Sequence, residues 1–335
     1  MCEKTLNVYK TLIGNLSNMI NDETYKDVTF VFMDSEEEIK AHKYMLVSAS
    51  PVFNSMFSGN FSEDDKVVID DIKPDVFQVL LNGIYLKPIT LTVNLAVDLY
   101  YAAEKYDIGD IRDLTLSFMI KNCHAKNVNL LLQTAKLFNL TELEKTCKNY
   151  FAQNTYKVLV SYIRSLVDSD TLPELFALEN LGIKYEFELY LALQVMSEWI
   201  LDHSNCLKQI RFLTMNTRTV LLCDMLEAED KCTIISNIEA LKARDTSLLE
   251  MPSYISTETR SRLSGSFSEP QRQRFWIALL LRSDYYTSLL PIFHKFFNIS
   301  KKSKKLIEQS VRVARNGDEV NFATITKLKG IIFKY

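Results

Sequence analysis

"AHKYMLVSASPVFNSMFSGNFSED", residues 41 to 64, decides how the first part of the chain is read. It holds His42, one of four histidines, then the apolar residues Val52, Phe53, Met56 and Phe57, then a polar and acidic tail. A histidine among serines invites a catalytic reading; an apolar run closing on an acidic tail invites a docking surface. Nucleophilic catalysis needs a Ser or Cys presented on a sharp turn with a base in reach, and the chain has no G-x-S-x-G. Ser50-Pro51 instead sets a helix start, a hydroxyl cap ahead of a proline at the first helical position. Val52, Phe53, Met56 and Phe57 form that helix's buried side, and Gly59 is its stop.

Outward from this stretch, "DVTFVF" (27–32) is apolar on both faces and rich in β-branched and aromatic residues, which predicts a buried strand. The acidic turn "DSEEE" follows, with "IKAH" as the returning strand of a hairpin. "KVVIDDI" predicts a third strand, and Pro74 opens a helix through Val76, Phe77, Leu80 and Leu81. Leu95, Leu99, Ala102, Ala103 and Tyr106 then share one helical face. Helix, hairpin, helix, strand and further helices describe an α+β domain, a small sheet capped by helices. Upstream, Tyr9, Leu12, Ile13, Leu16, Met19 and Ile20 fall at helical spacing. That face can pack on its own domain or on a partner subunit, and spacing alone leaves both open.

Residues 125 to 240 contain no convincing strand. Leu131, Ala135 and Phe138 form one stripe and Leu143, Cys147, Tyr150 and Phe151 another, so an all-α second domain follows. Residues 242–270 are rich in Ser, Thr, Arg and Glu with weak periodicity, which reads as a linker or poorly ordered loop. Residues 271–335 are compact in composition and end in the β-prone "VNFATITKLKGIIFKY"; their fold stays unassigned.

Composition narrows the function. The 335 residues are 47% hydrophobic and 24% charged, a globular balance long enough for two domains. With 39 basic against 42 acidic residues there is no field to steer nucleic acid or an anionic membrane. No apolar run approaches the ~18–20 residues of a membrane span. The six cysteines (Cys2, Cys123, Cys147, Cys206, Cys223, Cys232) include no C-x-x-C pair and read as reduced thiols, hence a cytoplasmic protein, nuclear entry being left open by "KKSKK" (301–305). His42, His124, His203 and His294 are isolated from one another, so no metal is expected. Adjacent Cys123 and His124 point apart on a helix end. Glycines for a phosphate loop are lacking, so no cofactor is expected either. The chain reads as a non-enzyme.

Asp27-Val28 before a strand, then Ala41-His42-Lys43, Leu46, Ser50, Phe53, Met56 and Phe57, resemble the BTB (POZ) domain in residue type and spacing. "VVIDDIKPDVFQVLLNGIY" and "LYYAAEKYDIGDIRDL" resemble the family's later strand and helices, so the resemblance covers residues 5–122. "NVNLLLQTAKLFNLTELEKTCKNYFAQN", "FELYLALQVMSEWI" and "IRF" (210–212) resemble the helical BACK domain, which places it at 123–241. Neither kelch repeats nor a C₂H₂ array follows, so the resemblance is to BTB–BACK adaptors without a propeller.

The resemblance implies a substrate-recruiting subunit of a cullin-3 RING ubiquitin ligase, or alternatively an oligomeric scaffold unconnected with ubiquitin. It implies a homodimer through the first helix, with Tyr9, Leu12, Ile13 and Leu16 as the candidate face. It implies cullin-3 binding by a hydrophobic-x-Glu motif, matched by Phe61-Ser62-Glu63, with Phe61 either exposed to the partner or tucked into its own domain. Tyr106 lies where the family uses an aromatic near the same surface. It gives Asp27, His42, Leu46, Ser50, Phe53, Met56 and Phe57 structural roles, with Asp27 near His42. An unidentified client would be held by residues 271–335 or by the BACK domain.

Overall fold

The structure, a computed structural model, describes residues 3–33, 35–58, 66–165, 170–197, 203–245, 247–257, and Arg272, Phe275 and Trp276. For 3–9 and 164–165 it describes the backbone alone. The expected C-terminal segment 271–335, apart from those three residues, lies outside the described residues, as do "KKSKK" and the Trp199-Ile200 end of "FELYLALQVMSEWI". The chain divides into two compact units, residues 1–123 and 124–335.

The first unit is α+β. Its elements are α1 (Glu3–Met19), β1 (Val28–Phe32), β2 (Glu38–Ala41), α2 (Lys43–Ala49), α3 (Pro51–Ser58), β3 (Lys66–Ile69), α4 (Pro74–Ile84), α5 (Val93–Lys105) and α6 (Gly109–Lys121). The sheet order is β2-β1-β3. β2 pairs antiparallel to β1, with Val28 opposite Ala41; β3 pairs parallel to β1, with Thr29 opposite Lys66. A parallel pair requires a crossover connection, and α2 and α3 supply it. Central β1 buries Val28, Phe30 and Phe32 and half-buries Thr29 and Val31, which is why its sequence lacks a polar alternation.

Helix α2 is not in the sequence reading, which starts the helix at Ser50-Pro51. Two helices lie there because proline clashes with a helical conformation at the preceding residue. Ser50 accordingly sits in extended backbone (φ −143°, ψ 124°) between them. Its hydroxyl then caps α3, accepting from Phe53 N at 3.1 Å. His42, expected to end a strand, is instead the extended residue ahead of α2.

Among the described residues, four helices end on residues in the left-handed region, and none is glycine. Leu86 (φ 58°), Asp107 (φ 50°), Asn139 (φ 55°) and Arg244 (φ 57°) each follow a helix. In each case the next amide bonds back five residues: Lys87 to Asn82 O (2.7 Å), Ile108 to Ala103 O (2.8 Å), Leu140 to Ala135 O (2.7 Å) and Asp245 to Ala240 O (2.9 Å). This is the Schellman closure, made here by side chains that tolerate the region less well than glycine.

Among its described residues the second unit has helices joined by turns and no strand: α7 (Val128–Leu137), α8 (Thr141–Gln153), α9 (Thr155–Ser165), α10 (Leu172–Ala177), α11 (Glu186–Met196), α12 (Ser204–Leu207), α13 (Thr217–Val220) and α14 (Ala228–Ala243). Every residue of α11 is buried, the condition of a helix surrounded by protein rather than lying on its surface. Gly182 enables the close approach beside it: its N–H reaches Ala152 O at 2.7 Å, and a Cβ there would stand 3.0 Å from that oxygen. Arg211, buried in the "IRF" stretch, donates twice to Glu179, at 3.0 and 2.5 Å. Past α14, part of the expected linker is held: buried Asn237 accepts from Leu249 N (2.7 Å) and donates to Leu249 O (2.9 Å).

One buried knot joins the loop before β1, the start of α2 and the end of α4. Tyr85 Oη accepts from His42 N (3.0 Å) and lies 2.7 Å from His42 Nδ1. His42 Nε2 lies 3.2 Å from Thr24 O, which can only accept. The network therefore assigns the ring proton to Nε2, leaving Nδ1 to accept the Tyr85 proton. Asp27, expected beside His42, acts one residue on: its carboxylate accepts from Lys43 N at 2.7 Å. Burial pushes the Tyr85 phenol above its ordinary pKa. Tyr85→Phe should leave the His42 amide and Nδ1 without a partner and lower stability by about 1–3 kcal/mol. Urea unfolding checks this as a fall in midpoint at unchanged slope.

Candidate functional site

The expected signature residues converge on one corner of the first unit. Ser50 Oγ, besides capping α3, donates to Tyr106 O at 2.5 Å, tying the α2–α3 junction to the end of α5. The Phe53 ring lies over the Tyr106 ring with centroids 4.3 Å apart at 16°. Phe77 meets Tyr106 edge-on at 6.0 Å and Phe30 at 4.6 Å, so strand, crossover and later helices share one aromatic cluster. Leu46 and Phe53 are buried, while Met56 and Phe57 are half-buried against the same core. Lys43 Nζ stands 5.5 Å above the Phe57 ring, a cation–π contact that covers the ring from outside.

Phe61 and Glu63, the expected cullin contacts, lie outside the described residues, as does Gly59. Tyr106 is only 2% exposed. Its ring belongs to the core, stacked on Phe53 and in T-shaped contact with Phe77, so it supports this corner from beneath instead of offering an aromatic at the surface.

Helix α1 presents the second surface. Leu12 (52%), Ile13 (46%), Leu16 (36%) and Met19 (38%) are exposed at helical spacing, whereas Ile20 turns into the core. The side chain of Tyr9 lies outside the described residues. Ser17 Oγ donates to Ile13 O (2.8 Å) and to Leu86 O (3.1 Å), fixing the helix's last turn to the end of α4. The alternative that this face packs within its own unit therefore fails for Leu12, Ile13, Leu16 and Met19. A row of exposed aliphatic side chains on one helix is the pattern of an interaction surface.

The sequence reading missed a third feature, an open groove of about 870 Å³ at the ends of β1, β2 and β3. Ile39, Ile69 and Ile72 line it together with Glu37, Glu38, Asp70, Asp71 and Asp75. Taken singly, "DSEEE" looks like a solvated turn and "KVVIDDI" like a strand; only the sheet places their carboxylates on one groove. Burial works against ionisation of Asp71, but hydrogen bonds from Lys105 Nζ (2.6 Å) and Tyr101 Oη (2.5 Å) outweigh it and hold its carboxyl below the ordinary carboxylate value.

Among the described residues no group of three or more His, Cys, Asp or Glu is placed to hold a metal ion, and no helix is long and apolar enough to cross a membrane. The five described cysteines are free thiols, and burial pushes that of Cys223 upward. Cys123 and His124 stand at the turn between α6 and α7, where Asn127 Oδ1 accepts from His124 N at 2.7 Å.

Residues 16–123 match the family model of the BTB/POZ domain. BTB/POZ domain-containing protein 6-A of Danio rerio is 30% identical over 179 residues, covering 52% of this chain and 33% of that protein. BTB/POZ domain-containing protein 3 of Homo sapiens is 29% identical over 180 residues, covering 53% of this chain and 34% of that protein. The match thus spans about a third of the length of these curated relatives. Among solved structures, the BTB domain of zebrafish PATZ1 is similar at 23% identity and a TM-score of 0.30, over 33% of this chain and 91% of that one.

The Asp71 site gives a pH prediction. A carboxyl held low in the folded state contributes stability that is complete above its unfolded value of about 4 and is lost as pH falls through the lower folded value. Asp71→Asn should therefore cost more stability at neutral pH than below about pH 3. Urea unfolding of both proteins across that range checks it, and an equal cost at both ends would contradict it.

Proposed function

With a BTB/POZ domain occupying residues 16–123 as the premise, we propose that this chain is a non-enzymatic, dimeric protein-interaction adaptor that recruits a client to a cullin-3 RING ubiquitin ligase. The observation that carries the reading is the exposed aliphatic row of α1, the helix that leads into that domain. Tyr9, Leu12, Ile13 and Leu16 would meet the same residues of a second copy, because a two-fold dimer brings one patch against itself. Removing four large apolar side chains from water supplies the favourable term, at roughly 25 cal/mol per Å² buried.

Cullin-3 docking falls to Phe61 and Glu63, which follow α3 in the chain. An aromatic anchor supplies affinity by filling an apolar pocket, and a carboxylate beside it fixes orientation and selects against wrong partners. The stacked Phe53–Tyr106 pair beneath α3 supports this role: a docking residue gains affinity when the element that presents it is already rigid. Residues 123–241 act as a BACK domain that sets spacing, and residues 271–335 or that helical domain hold the client. The adaptor works in the cytoplasm and contributes proximity, since placing two reactants together supplies a large part of a bimolecular barrier.

The test is an affinity purification of full-length wild-type protein and of Phe61→Ala/Glu63→Ala from the same cells. Cullin-3 should co-purify with wild type and be lost by at least about tenfold from the double variant, while the dimer persists. A wild-type dimer that brings down no cullin would instead support the scaffold reading.

A further inference from the structure

A carboxylate buried inside the second unit has no role in the proposed adaptor function. Glu188, on the all-round-buried helix α11, is 0% exposed. Its two oxygens are served from different parts of the chain. Oε2 accepts from Tyr156 Oη at 2.5 Å and from Tyr185 N at 3.1 Å, both belonging to the local helical framework. Oε1 accepts from Arg272 Nε at 2.6 Å and from Trp276 Nε1 at 2.9 Å, both more than 80 residues later in sequence. Tyr156 Oη in turn accepts from Lys184 N at 2.6 Å, which holds the framework side of the site in place.

The later residues fit as a set. Arg272, Phe275 and Trp276 are helical, and positions i, i+3 and i+4 lie on one helix face. Arg272 lays its guanidinium 5.5 Å from the Tyr185 ring centre, and the Phe275 ring lies 5.4 Å from that of Tyr156. All three side chains are buried. Charge, indole N–H and aromatic face are thus each matched by a framework group. A carboxylate oxygen at this depth is costly without donors, and among the described residues the donors to Oε1 come from this motif.

We propose that the helical unit carries a docking site for an Arg-x-x-Phe-Trp helix face, centred on Glu188, and that its resident occupant is this chain's own Arg272–Trp276 segment. The site anchors the start of the last part of the chain to the helical unit. Its selectivity follows from chemistry: a lysine lacks the planar fork that stacks on Tyr185 while donating to Glu188, and an apolar residue in place of Arg272 leaves a buried charge unpaired. The inference is independent of cullin binding and of the BTB/POZ domain.

The experiment uses full-length proteins and a fluorescein-labelled synthetic peptide of residues 269–280, followed by fluorescence anisotropy. Arg272→Ala/Trp276→Ala, which vacates the site, should bind the peptide at least about tenfold more tightly than wild type, whose site is filled. Adding Glu188→Gln to that variant should abolish the gain. Equal binding by wild type and the vacated variant, or equal binding of a peptide lacking the Arg and Trp side chains, overturns the proposal. If circular dichroism shows the vacated variant unfolded, hydrogen exchange on wild type and Glu188→Gln decides. The amides of Phe275 and Trp276 should be protected by at least about a hundredfold in wild type and less so in Glu188→Gln; exchange at the unfolded-chain rate in wild type overturns it.

Discussion

The first unit turns on the hydroxyl of Ser50. As acceptor it caps α3 through Phe53 N, and as donor it holds Tyr106 O at the end of α5. The two bonds force Phe53 and Tyr106 into their 4.3 Å stack, and that stack links the sheet, through Phe30 and Phe77, to the helices that follow. A buried hydroxyl satisfied on both sides costs little, whereas the same group with one partner missing bears its full desolvation penalty. The corner is therefore specified as a unit, and each element entering it has little freedom to pack otherwise. α3 ends at Ser58, and Phe61 and Glu63 follow it in the chain.

Much of this was legible in the sequence because its signals are local. Ser50-Pro51 marks a helix start through cap chemistry and proline's missing N–H, and the apolar run at 27–32 marks a central strand. The α2 helix was missed because no polar punctuation separates it from β2; His42 stands at the boundary without a side-chain cap. Helix ends were also hard to read. The usual glycine signal is absent at Leu86, Asp107, Asn139 and Arg244, where the following amide closes the helix on the carbonyl five residues back.

The features of the site that escaped the sequence are those made by tertiary contact. The acidic groove assembles carboxylates from separate segments, Glu37 and Glu38 at the start of β2 with Asp70 and Asp71 after β3 and Asp75 on α4. Tyr106 shares the face of Leu99 and Ala103 at helical spacing, yet nothing local says whether its ring faces a partner or the core. Glu188 is the clearest case. In "YEFELYLALQ" it looks like one polar residue on an amphipathic helix; burial on every side of α11, and donors arriving from Arg272 and Trp276, turn it into the centre of an internal docking site.

Both units thus use one device, a buried polar group that is satisfied only when a distant segment is in place: Ser50 with Tyr106, Glu188 with Arg272 and Trp276. The α1 face is the reverse, an apolar surface complete in geometry and lacking its cover, and the central claim is that a second copy supplies it. Sedimentation equilibrium of the full-length protein at micromolar concentration tests this directly. The account predicts twice the chain mass for wild type and the single chain mass for Leu12→Asp/Leu16→Asp with an unchanged circular dichroism spectrum. A wild-type protein at the single chain mass, or a folded variant that stays dimeric, would contradict it.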